Sequence, residues 1–491
     1  MKRRARVLRL VCVVTATCLC AGTLDAQSRA GDESSVMGTQ EAMQQQIDRL
    51  ETEVAELRAV VKQLQAALPV TSGASVHSSA STSSLISVAG SPENEAQTSP
   101  PPADPVPARQ DALQPRDRGA LDFLHDTTIN IGIDTYYAYN FNAPIGQANL
   151  LRAYDVSSNS FSINQADLVL ENAPDPEHGK RYGGRIDFQY GQATQTLQGN
   201  PANEARPDIY RALFQAYGTY IAPVGSGLRV DFGKWASALG IENNYTKDQN
   251  DYSRSFWFDF LPFYHMGVRT SYQVNHWLTA NYWLVNGTQQ TEDFNGFKDE
   301  LFGVVLQPKP SVSWTVNYYF GQEHPSFMYV PAGTGLPVVQ GEPLEPIADA
   351  PTGKLHIFDS YVSWSASPKL NLALEGDYVI ERLYTTSAPA HTDGGAAYAR
   401  YQLTPKFAIA SRAEYMSDHG GLFSGTTQAL KEVTLTGQYQ FYPGFMMFEE
   451  WRRDFSNQPY FLTDTLGLLR NEQTTATAGL VWWFGPKTGS W

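Results

Sequence analysis

The chain has 491 residues, of which 42% are hydrophobic and 12% aromatic, so it is long enough to form a large folded body. Its formal net charge of −14 makes it a poor binder of nucleic acid, whose phosphates attract basic surfaces. All three cysteines, Cys12, Cys18 and Cys20, lie near the N-terminus, so the rest of the chain can form no disulfide, thiolate nucleophile or cysteine-ligated metal site.

The first predicted element in chain order is a secretory signal peptide over residues 1–26. Several Lys and Arg residues precede or begin the apolar run "VLRLVCVVTATCLCAG", and "LDAQ" offers a small-residue cleavage site after Ala26. A membrane anchor is one alternative, but the apolar run is shorter than the roughly 20 residues that a spanning helix needs. A lipoprotein signal with lipid on Cys18 or Cys20 is another, and neither cysteine follows a clear Leu-x-Ala/Gly-Cys pattern.

Residues 27–68 are predicted to contain a short coiled-coil helix. Apolar residues recur there at alternating spacings of four and three, as the buried positions of a coiled coil do. These residues are Met43, Ile47, Leu50, Val54, Leu57, Val61, Leu64 and Leu68. β-Branched residues at a and leucine at d favour a dimer in isolated parallel coils. A single amphipathic helix that packs on the protein's own body is the alternative.

Residues 69–118 are predicted to form a linker. Segments such as "ASVHSSASTSSL" and "TSPPPADPVPARQ" are rich in Ser, Thr, Ala and Pro, and they hold too few large apolar residues to bury a core. The linker is expected to be partly flexible and partly polyproline-like, and to separate the coil from the rest of the chain.

Residues 119–491 are predicted to form an all-β, transmembrane, antiparallel up-and-down barrel of about 16 strands, with 14 to 18 possible. Short segments of alternating polarity, rich in Tyr, Phe, Trp, Val and Thr, recur along this region. Their connections alternate between short ones, such as "PKP" and "YP", and long ones, as in outer-membrane barrels. The strand candidates start near Thr128, Ser160, Tyr182, Asp208, Gly227, Phe263, Trp277, Lys298, Ser311, Lys354, Lys369, Gly394, Lys406, Gln428, Gly444 and Thr474.

The alternation itself indicates a barrel in lipid. In "KLNLALEGDYVIERL", Leu370, Leu372 and Leu374 point to one side of an extended chain, whereas Glu375 and Asp377 point to the other. An apolar outer face with carboxylates on the inner face suits a closed sheet around a water-filled lumen. A soluble β-sandwich also alternates and is the alternative, but the predicted signal peptide and the alternation of loop lengths favour the barrel.

Several longer motifs resemble one family of outer-membrane proteins. The stretches "AYDVSSNSFSINQADLVLENAP", "GRIDFQYGQ", "DFGKWASALGIENNYTKDQNDYSRSFWFDFLPFYHMGVR" and "LVNGTQQTEDFNGFK" occur in an order similar to that of the outer-membrane β-barrel porins called OmpL-like. The resemblance covers about residues 120–485 and implies a pore in a Gram-negative outer membrane. Assembly machinery usually reads an aromatic final residue, and the resemblance leaves both Phe484 and Trp491 as candidates for that part.

The coil and linker are also similar to those of sugar and anion porins with periplasmic coiled coils, which are trimers. The resemblance therefore favours a trimer, although the heptad residues taken alone favour a dimer.

The predicted function is a porin that forms a water-filled channel for passive diffusion of small hydrophilic solutes. The alternative is a plugged structural or enzymatic barrel, for example a phospholipase-like one. The nine histidines form no HExxH pattern and the sequence contains no GxSxG motif, so the protein is predicted not to be an enzyme.

The loop of residues 236–262 is predicted to fold inward and form the pore constriction. It combines charges of both signs with the adjacent Phe256, Trp257 and Phe258, which gain little in water but can pack against a barrel wall. The candidate constriction residues are Glu242, Lys247, Asp248, Asp251, Arg254 and Asp259. An ordinary surface loop with an aromatic rim is the alternative.

Alternation assigns a second set of charged residues to the lumen wall. Acids outnumber bases at the inward positions, which predicts a weak preference for cations. The candidate wall residues are Arg185, Asp187, Arg229, Asp231, Arg269, Asp359, Glu375, Asp377, Arg412 and Glu414.

No cofactor is predicted, and one external loop is a candidate calcium site. "EDFNGFKDE", residues 292–300, clusters oxygen ligands but lacks the EF-hand spacing, so a solvated loop is the stronger interpretation. The predicted partners are outer-membrane lipid and lipopolysaccharide, further copies of the chain, and peptidoglycan for the N-terminal segment. The barrel is predicted to lie in the outer membrane, with the coiled coil in the periplasm.

Overall fold

The structure is a computed structural model that describes residues 126–198, 204, 207–329, 338–339, 342–487 and 490–491. The predicted signal peptide, coiled coil and linker lie outside the described residues, and these three predictions stay predictions.

Sixteen strands of the described chain form one closed antiparallel barrel. Each barrel strand pairs with the barrel strands before and after it in the chain, and the last pairs with the first, with Ile131 of β1 opposite Phe484 of β21. The barrel strands are β1 (Thr128–Asn140), β2 (Ser160–Asn172), β3 (Tyr182–Tyr190), β4 (Leu213–Ala222), β5 (Leu228–Ala236), β6 (Tyr264–Asn275), β7 (Leu278–Val285), β8 (Asp299–Lys309), β9 (Val312–Gly321), β13 (Leu355–Ser365), β14 (Leu370–Glu381), β15 (Ala390–Thr404), β16 (Phe407–His419), β17 (Gln428–Tyr442), β18 (Phe445–Ser456) and β21 (Glu472–Phe484). The predicted fold class and the strand number are confirmed.

The remaining strands and helices lie in the long connections. One small sheet contains β10 (Phe327–Tyr329), β11 (Val338–Val339) and β12 (Glu342–Pro346), and a hairpin contains β19 (Phe461–Leu462) and β20 (Leu469–Arg470). The short helices are α1 (Gln192–Gln198), α2 (Pro207–Tyr210) and α3 (Phe256–Phe260). Among the described residues, no helix has the length and apolar character needed to cross a membrane.

The two faces of the wall have opposite polarity, as the alternation predicts. On β1, Ile129 and Ile131 are 44% and 43% exposed, whereas the intervening Asn130 is fully buried. On β14, Leu374 is 59% exposed and its neighbour Glu375 only 7%. A soluble sheet would bury the aliphatic residues instead, so this inversion is what a sheet with lipid outside and polar contacts inside requires.

Two predicted strand starts are wrong. The fourth was expected near Asp208, but α2 occupies that position and β4 begins at Leu213. Proline fits the first turn of a helix because the N–H that it lacks has no intrahelical partner there, and Pro207 begins α2. The twelfth was expected near Gly394, but β15 begins four residues earlier at Ala390, which pairs with Glu381 of β14.

Candidate functional site

The third long connection, residues 237–263, lies inside the barrel, and we call it L3. It joins β5 to β6, yet its backbone contacts strands elsewhere in the wall. The N–H of Gly240 donates to Asp359 of β13 at 3.1 Å, and the N–H of Phe256 donates to Glu414 of β16 at 2.8 Å. These strands are not neighbours of β5 or β6, so L3 crosses the lumen.

Wall carboxylates supply the acceptors that the backbone of L3 needs. An irregular buried loop has N–H groups with no ladder partner, and leaving such a donor unpaired costs about 1–3 kcal/mol. Glu450 of β18 accepts from the N–H of Tyr252 at 2.6 Å and from that of Ser253, and Glu375 of β14 accepts from the N–H of Ile241 at 3.0 Å. The inward acids therefore position the loop as well as giving the lumen its charge.

Arg412 of β16 ties L3 to the wall through charge. Its guanidinium lies 2.7 Å from Glu242 of L3 and 3.1 Å from Glu432 of β17, and it donates to the carbonyl of Ser253 at 2.8 Å. Arg412 is 1% exposed. A charge so deeply buried is tolerated only when it is paired and hydrogen-bonded, as this one is.

A second buried network joins the first long connection to the same wall. Arg452 and Asp454 of β18 pair at 2.7 Å, and Asp454 also pairs with Arg152 at 2.9 Å. Arg152 in turn lies 3.2 Å from Asp155 in the connection between β1 and β2. Arg452 also donates to the carbonyl of Arg254, so this network and L3 support each other.

The three adjacent aromatics of L3 pack inside the barrel. They are the first three residues of α3, and the side chain of the N-cap residue Ser255 accepts a hydrogen bond from the N–H of Phe258. Phe256 and Trp257 are fully buried, and Phe258 packs edge-on against Tyr154 with ring centres 5.5 Å apart. Such aromatic pairs add about 0.5–1.5 kcal/mol beyond the area that they bury.

The described residues after β21 turn back into the lumen. Lys487 donates from its N–H to Asn130 at 3.0 Å and pairs through Nζ with Glu171 at 2.8 Å. Trp491 donates from its N–H to Asp248 of L3 at 3.0 Å, and its ring packs on Tyr245 with centres 5.6 Å apart. These residues therefore meet L3 from the end of the barrel at which β1 begins.

L3 lines three cavities inside the barrel. The outer cavity, of about 430 Å³, lies near the long-connection end, where it is lined by Glu323 and Glu381. The middle cavity is about 220 Å³ and the inner one about 230 Å³, the latter reaching the short turn between β13 and β14. The outer and middle cavities share Pro262 and Phe263. The middle and inner cavities share residues 241–243, so the three cavities form a series from one end of the barrel to the other.

The six candidate constriction residues differ in their surroundings. Glu242, Asp248 and Asp259 line cavities. Lys247 pairs with Asp248 at 2.7 Å and lies over the ring of Trp491. Asp251 and Arg254 are buried in contacts between the loop and its surroundings. Asp251 accepts from Thr436 of β17, and Arg254 donates to the carbonyls of Tyr252 and Asn244.

Burial alters the acidity of several L3 side chains. Burial raises the pKa of Asp259 to about 7, although the positive charges of Arg452 and Arg152 act to lower it. It also raises the pKa of Asp251, while Arg412 opposes the shift. The pKa of Lys247 is lowered by burial, and its contact with Asp248 counteracts that effect. The carboxyl groups of Asp251 and Asp259 therefore change charge near neutral pH rather than near pH 4.

The ten candidate wall residues lie on the inner face in four clusters. Arg185 pairs with Asp187 at 2.8 Å, and Asp231 pairs with Arg229 at 3.0 Å and with Arg269 at 2.6 Å. Arg412 and Glu414 bind L3 as described above. The fourth cluster contains Asp359, Glu375 and Asp377.

Several residues that hold L3 were not singled out from the sequence, and β18 shows why. Its segment "FMMFEEWRRDF" carries charge on both faces, which obscured the alternation. In the structure Glu450, Arg452 and Asp454 are buried inside, whereas Arg453 pairs with Glu472 on the outer face. Strict period-two counting from Phe448 would have found the three inward residues.

The candidate calcium loop uses its oxygens internally. Asp293 accepts from the N–H groups of Asn295 and Gly296 and pairs with Lys298, and Glu292 accepts from Tyr210. In the described part of the chain, the carboxylate and histidine groups that converge enough to share an ion lie elsewhere.

Comparison with known proteins gives one family. Residues 126–484 match the family described as "Putative beta-barrel porin-2, OmpL-like". No curated protein matches the chain.

Several solved structures that are similar to this one are those of outer-membrane proteins. The trimer form of OmpT from Vibrio cholerae is 9% identical, with a TM-score of 0.47 over 73% of this chain and 99% of that one. An anion-selective porin from Comamonas acidovorans is 10% identical, with a TM-score of 0.45 over 73% and 99% of the two chains. The channel DcaP of Acinetobacter baumannii is 9% identical, with a TM-score of 0.44 over 73% and 96%.

Proposed function

The chain belongs to the OmpL-like β-barrel porin family, and we propose that it lets small hydrophilic solutes diffuse passively through a water-filled path in the outer membrane. Family and fold together support an outer-membrane channel.

The series of cavities beside L3 carries this proposal. The cavities extend from the long-connection end of the wall to the short turn after β13, and residues of L3 line each of them. In this proposal L3 is the constriction, with Glu242, Asp248 and Asp259 facing solutes. Asp251 and Arg254 act by holding the loop in place, because both are buried in its contacts.

The size of the middle cavity supports a narrow path. A volume of about 220 Å³ holds only several water molecules, since each takes about 30 Å³ in the liquid. Small hydrated ions and compact polar solutes are therefore the expected substrates.

The charges along the path favour cations weakly. Glu242, Asp248 and Asp259 come from L3, and Glu323 and Glu381 line the outer cavity. The basic residues that line the middle cavity are Arg185 and Arg269. Both arginines lie beside wall acids, just as Glu242 lies beside Arg412 and Asp248 beside Lys247, so the preference comes from the excess of acids over bases.

Planar-bilayer recording of the purified full chain tests the proposal. We expect discrete single-channel steps and, in a KCl gradient, a reversal potential of the sign that a cation preference gives. Anion preference would overturn the charge assignment. Absence of steps from a folded, heat-modifiable barrel would overturn the open path.

A plugged barrel is the second candidate function, because L3 and Trp491 occupy much of the lumen. A phospholipase-like version needs a catalytic pair facing lipid. The described residues contain a Ser237–His265 contact of 3.0 Å, but His265 is fully buried and its Nδ1 faces the carbonyl of Gly287, not a carboxylate. The bilayer recording separates plug from pore.

The surroundings of the barrel follow from the same proposal. Lipid and lipopolysaccharide contact the apolar outer face, and the chain before Thr128 joins the barrel at its short-turn end, which we place in the periplasm. There the predicted coil would hold copies of the chain together, with a trimer favoured, or reach peptidoglycan.

A further inference from the structure

Three inward carboxylates converge beside the start of L3. Asp359 of β13 lies directly across from Asp377 of β14, and Glu375 is two residues along the same face. One oxygen from each lies within 4.8 Å of the others, and the three residues are 1%, 5% and 7% exposed in that order. Like charges directly opposite each other on neighbouring strands repel, so this arrangement requires neutralisation.

No basic side chain of the described chain neutralises these three carboxylates. None of the ion pairs among the described residues includes Asp359, Glu375 or Asp377, unlike the other wall clusters. Asp359 accepts from Asn317 at 2.7 Å, and Glu375 accepts from Tyr398 at 2.8 Å. Both oxygens of Asp377 are buried, and among the described residues only a protonated Asp359 could donate to them.

We propose that these three carboxylates bind a divalent cation of the calcium type, with the free oxygens of Asp377 as its first ligands. Calcium takes oxygen ligands at about 2.3–2.6 Å, so two ligands of one ion lie at most about 5 Å apart, which the convergence within 4.8 Å meets. Calcium suits the site better than magnesium because magnesium demands near-octahedral geometry and gives up water reluctantly. Zinc prefers nitrogen and sulfur ligands, which this cluster does not offer.

The ion would act on L3 through its own ligands. Asp359 and Glu375 also accept from the N–H groups of Gly240 and Ile241, where L3 begins. The next residue, Glu242, lines the middle and inner cavities. Bound calcium would therefore fix the start of the loop and lower the negative charge beside the path. This consequence rests on the proposed function, whereas binding itself does not.

Terbium luminescence tests the binding. Tb³⁺ substitutes for Ca²⁺, and Tyr398 lies close enough to Glu375 to sensitise its emission. The full chain is purified in detergent, treated with EDTA and titrated with Tb³⁺, and Ca²⁺ is then added as competitor. We expect saturable emission that Ca²⁺ displaces and that weakens at least tenfold in apparent affinity in Asp377→Asn, which removes one charge without removing a native hydrogen bond.

Asp167→Asn is the matched control. Asp167 is another buried inward acid with an unpartnered oxygen, but it is not part of the cluster, so this variant should bind like the wild type. Glu375→Gln serves as a second test variant should Asp377→Asn fail the heat-modifiability check for folding. Equal Ca²⁺-displaceable emission in the wild type and in a folded Asp377→Asn or Glu375→Gln barrel, or none in the wild type, would overturn the site and leave protons as the neutralising species.

Conductance provides an independent readout. Adding Ca²⁺ to the EDTA-treated wild-type channel should lower its cation-to-anion permeability ratio about twofold or more, and the same addition should leave Asp377→Asn unchanged. A channel that conducts but binds neither Tb³⁺ nor Ca²⁺ overturns this inference and keeps the proposed function. A protein that binds the ion but does not conduct keeps the site and overturns the proposed function.

Discussion

Arg412 joins two carboxylates that lie far apart in the chain, Glu242 of L3 and Glu432 of β17. Surface ion pairs contribute little to stability, but a buried guanidinium with paired acids behaves differently, because removal of one partner leaves uncompensated charge in a poorly solvated place. The position of the loop in the lumen therefore depends on a few wall side chains rather than on its own sequence alone.

Arg412→Gln should loosen L3. Removing one partner of a buried ion pair costs about 3–5 kcal/mol, and Glu242 would lose its only ion pair among the described residues. We expect a lower thermal unfolding temperature and a larger, noisier single-channel conductance.

Arg229→Gln is the control for this variant. Arg229 is 40% exposed at its side chain, and its partner Asp231 keeps Arg269. If both variants change conductance equally, Arg412 has no special part in holding the loop.

Asp259 should make the selectivity depend on pH. Its pKa is raised to about 7 because burial disfavours the carboxylate, and it lines the outer cavity. Lowering the pH from 8 to 6 should neutralise it and reduce the cation-to-anion permeability ratio, measured from reversal potentials. In Asp259→Asn the ratio should stay flat over this range, and a wild-type ratio that does not change would contradict the assignment.

The raised pKa of Asp259 also predicts how this side chain changes the free energy of unfolding with pH. The folded state holds the Asp259 proton more tightly than the unfolded chain, whose value is near 3.8. The contribution to stability is therefore fully present below about pH 4 and is lost as the pH rises through about 7. Unfolding of wild type and Asp259→Asn, followed against pH, should differ most above pH 7.

At the scale of elements, L3 differs from an exposed connection because wall carboxylates accept hydrogen bonds from its backbone and its aromatic helix α3 is buried. The hairpin of β19 and β20 shows the contrast, since Leu466 between its strands is 71% exposed. Irregular backbone is stable inside a barrel only where protein or water supplies its hydrogen bonds.

Shortening residues 243–255 should raise the conductance severalfold and weaken the selectivity. The deletion removes the part of L3 that contacts Arg412, Glu450 and Thr436, and the lumen beside these strands would fill with water. Single-channel recording of the folded variant measures the effect. Deleting residues 464–467 of the exposed hairpin is the matched control and should leave the conductance unchanged, and the same result for both deletions would contradict the proposed constriction.

Phe484 and Trp491 should affect different properties, namely assembly of the barrel and conductance of the channel. Phe484 ends the last barrel strand and is 56% exposed on the outer face, whereas Trp491 is 8% exposed inside the barrel. We expect Phe484→Ala to reduce the amount of heat-modifiable barrel in the outer membrane and Trp491→Ala to leave that amount unchanged while altering conductance. The reverse pattern would assign the assembly signal to Trp491.

At the scale of the whole molecule, closure by β1 and β21 removes every unpaired sheet edge and brings both ends of the barrel chain to the short-turn end. The inward faces meet L3 and the residues after β21, and the outward faces carry the apolar side chains. Channel path and membrane contact are therefore separated by a single layer of strands.

Deleting residues 37–68 should leave a folded barrel but weaken its oligomer. The predicted coil lies outside the described residues, and its apolar residues would add buried area at each contact between copies. Native gels of the full chain and the deletion variant measure the oligomer. An identical oligomer in both would give the helix another task, such as contact with peptidoglycan.

The sequence alone was sufficient for features that depend on local pattern. Period-two alternation identified Leu374 as outward and Glu375 as inward, because side-chain direction in a strand is decided within a few residues. Segments of alternating polarity predicted about sixteen strands, and the alternation of loop lengths indicated an outer-membrane barrel. Three adjacent aromatic residues marked L3 as unusual. The strand start predicted at Asp208 was wrong because a short helix competes for the same polar segment.

Tertiary structure alone decided which of these residues meet. Arg412 and Glu242 are 170 positions apart in the chain, and Tyr245 and Trp491 lie in different segments that enter the lumen separately. Alternation states that a side chain points inward, but only closure of the barrel and the pairing register place it beside a partner. For the same reason the meeting of Asp359, Glu375 and Asp377 with the start of L3 depends on the register of β13 with β14 and on the route of L3 across the lumen, which local sequence does not encode.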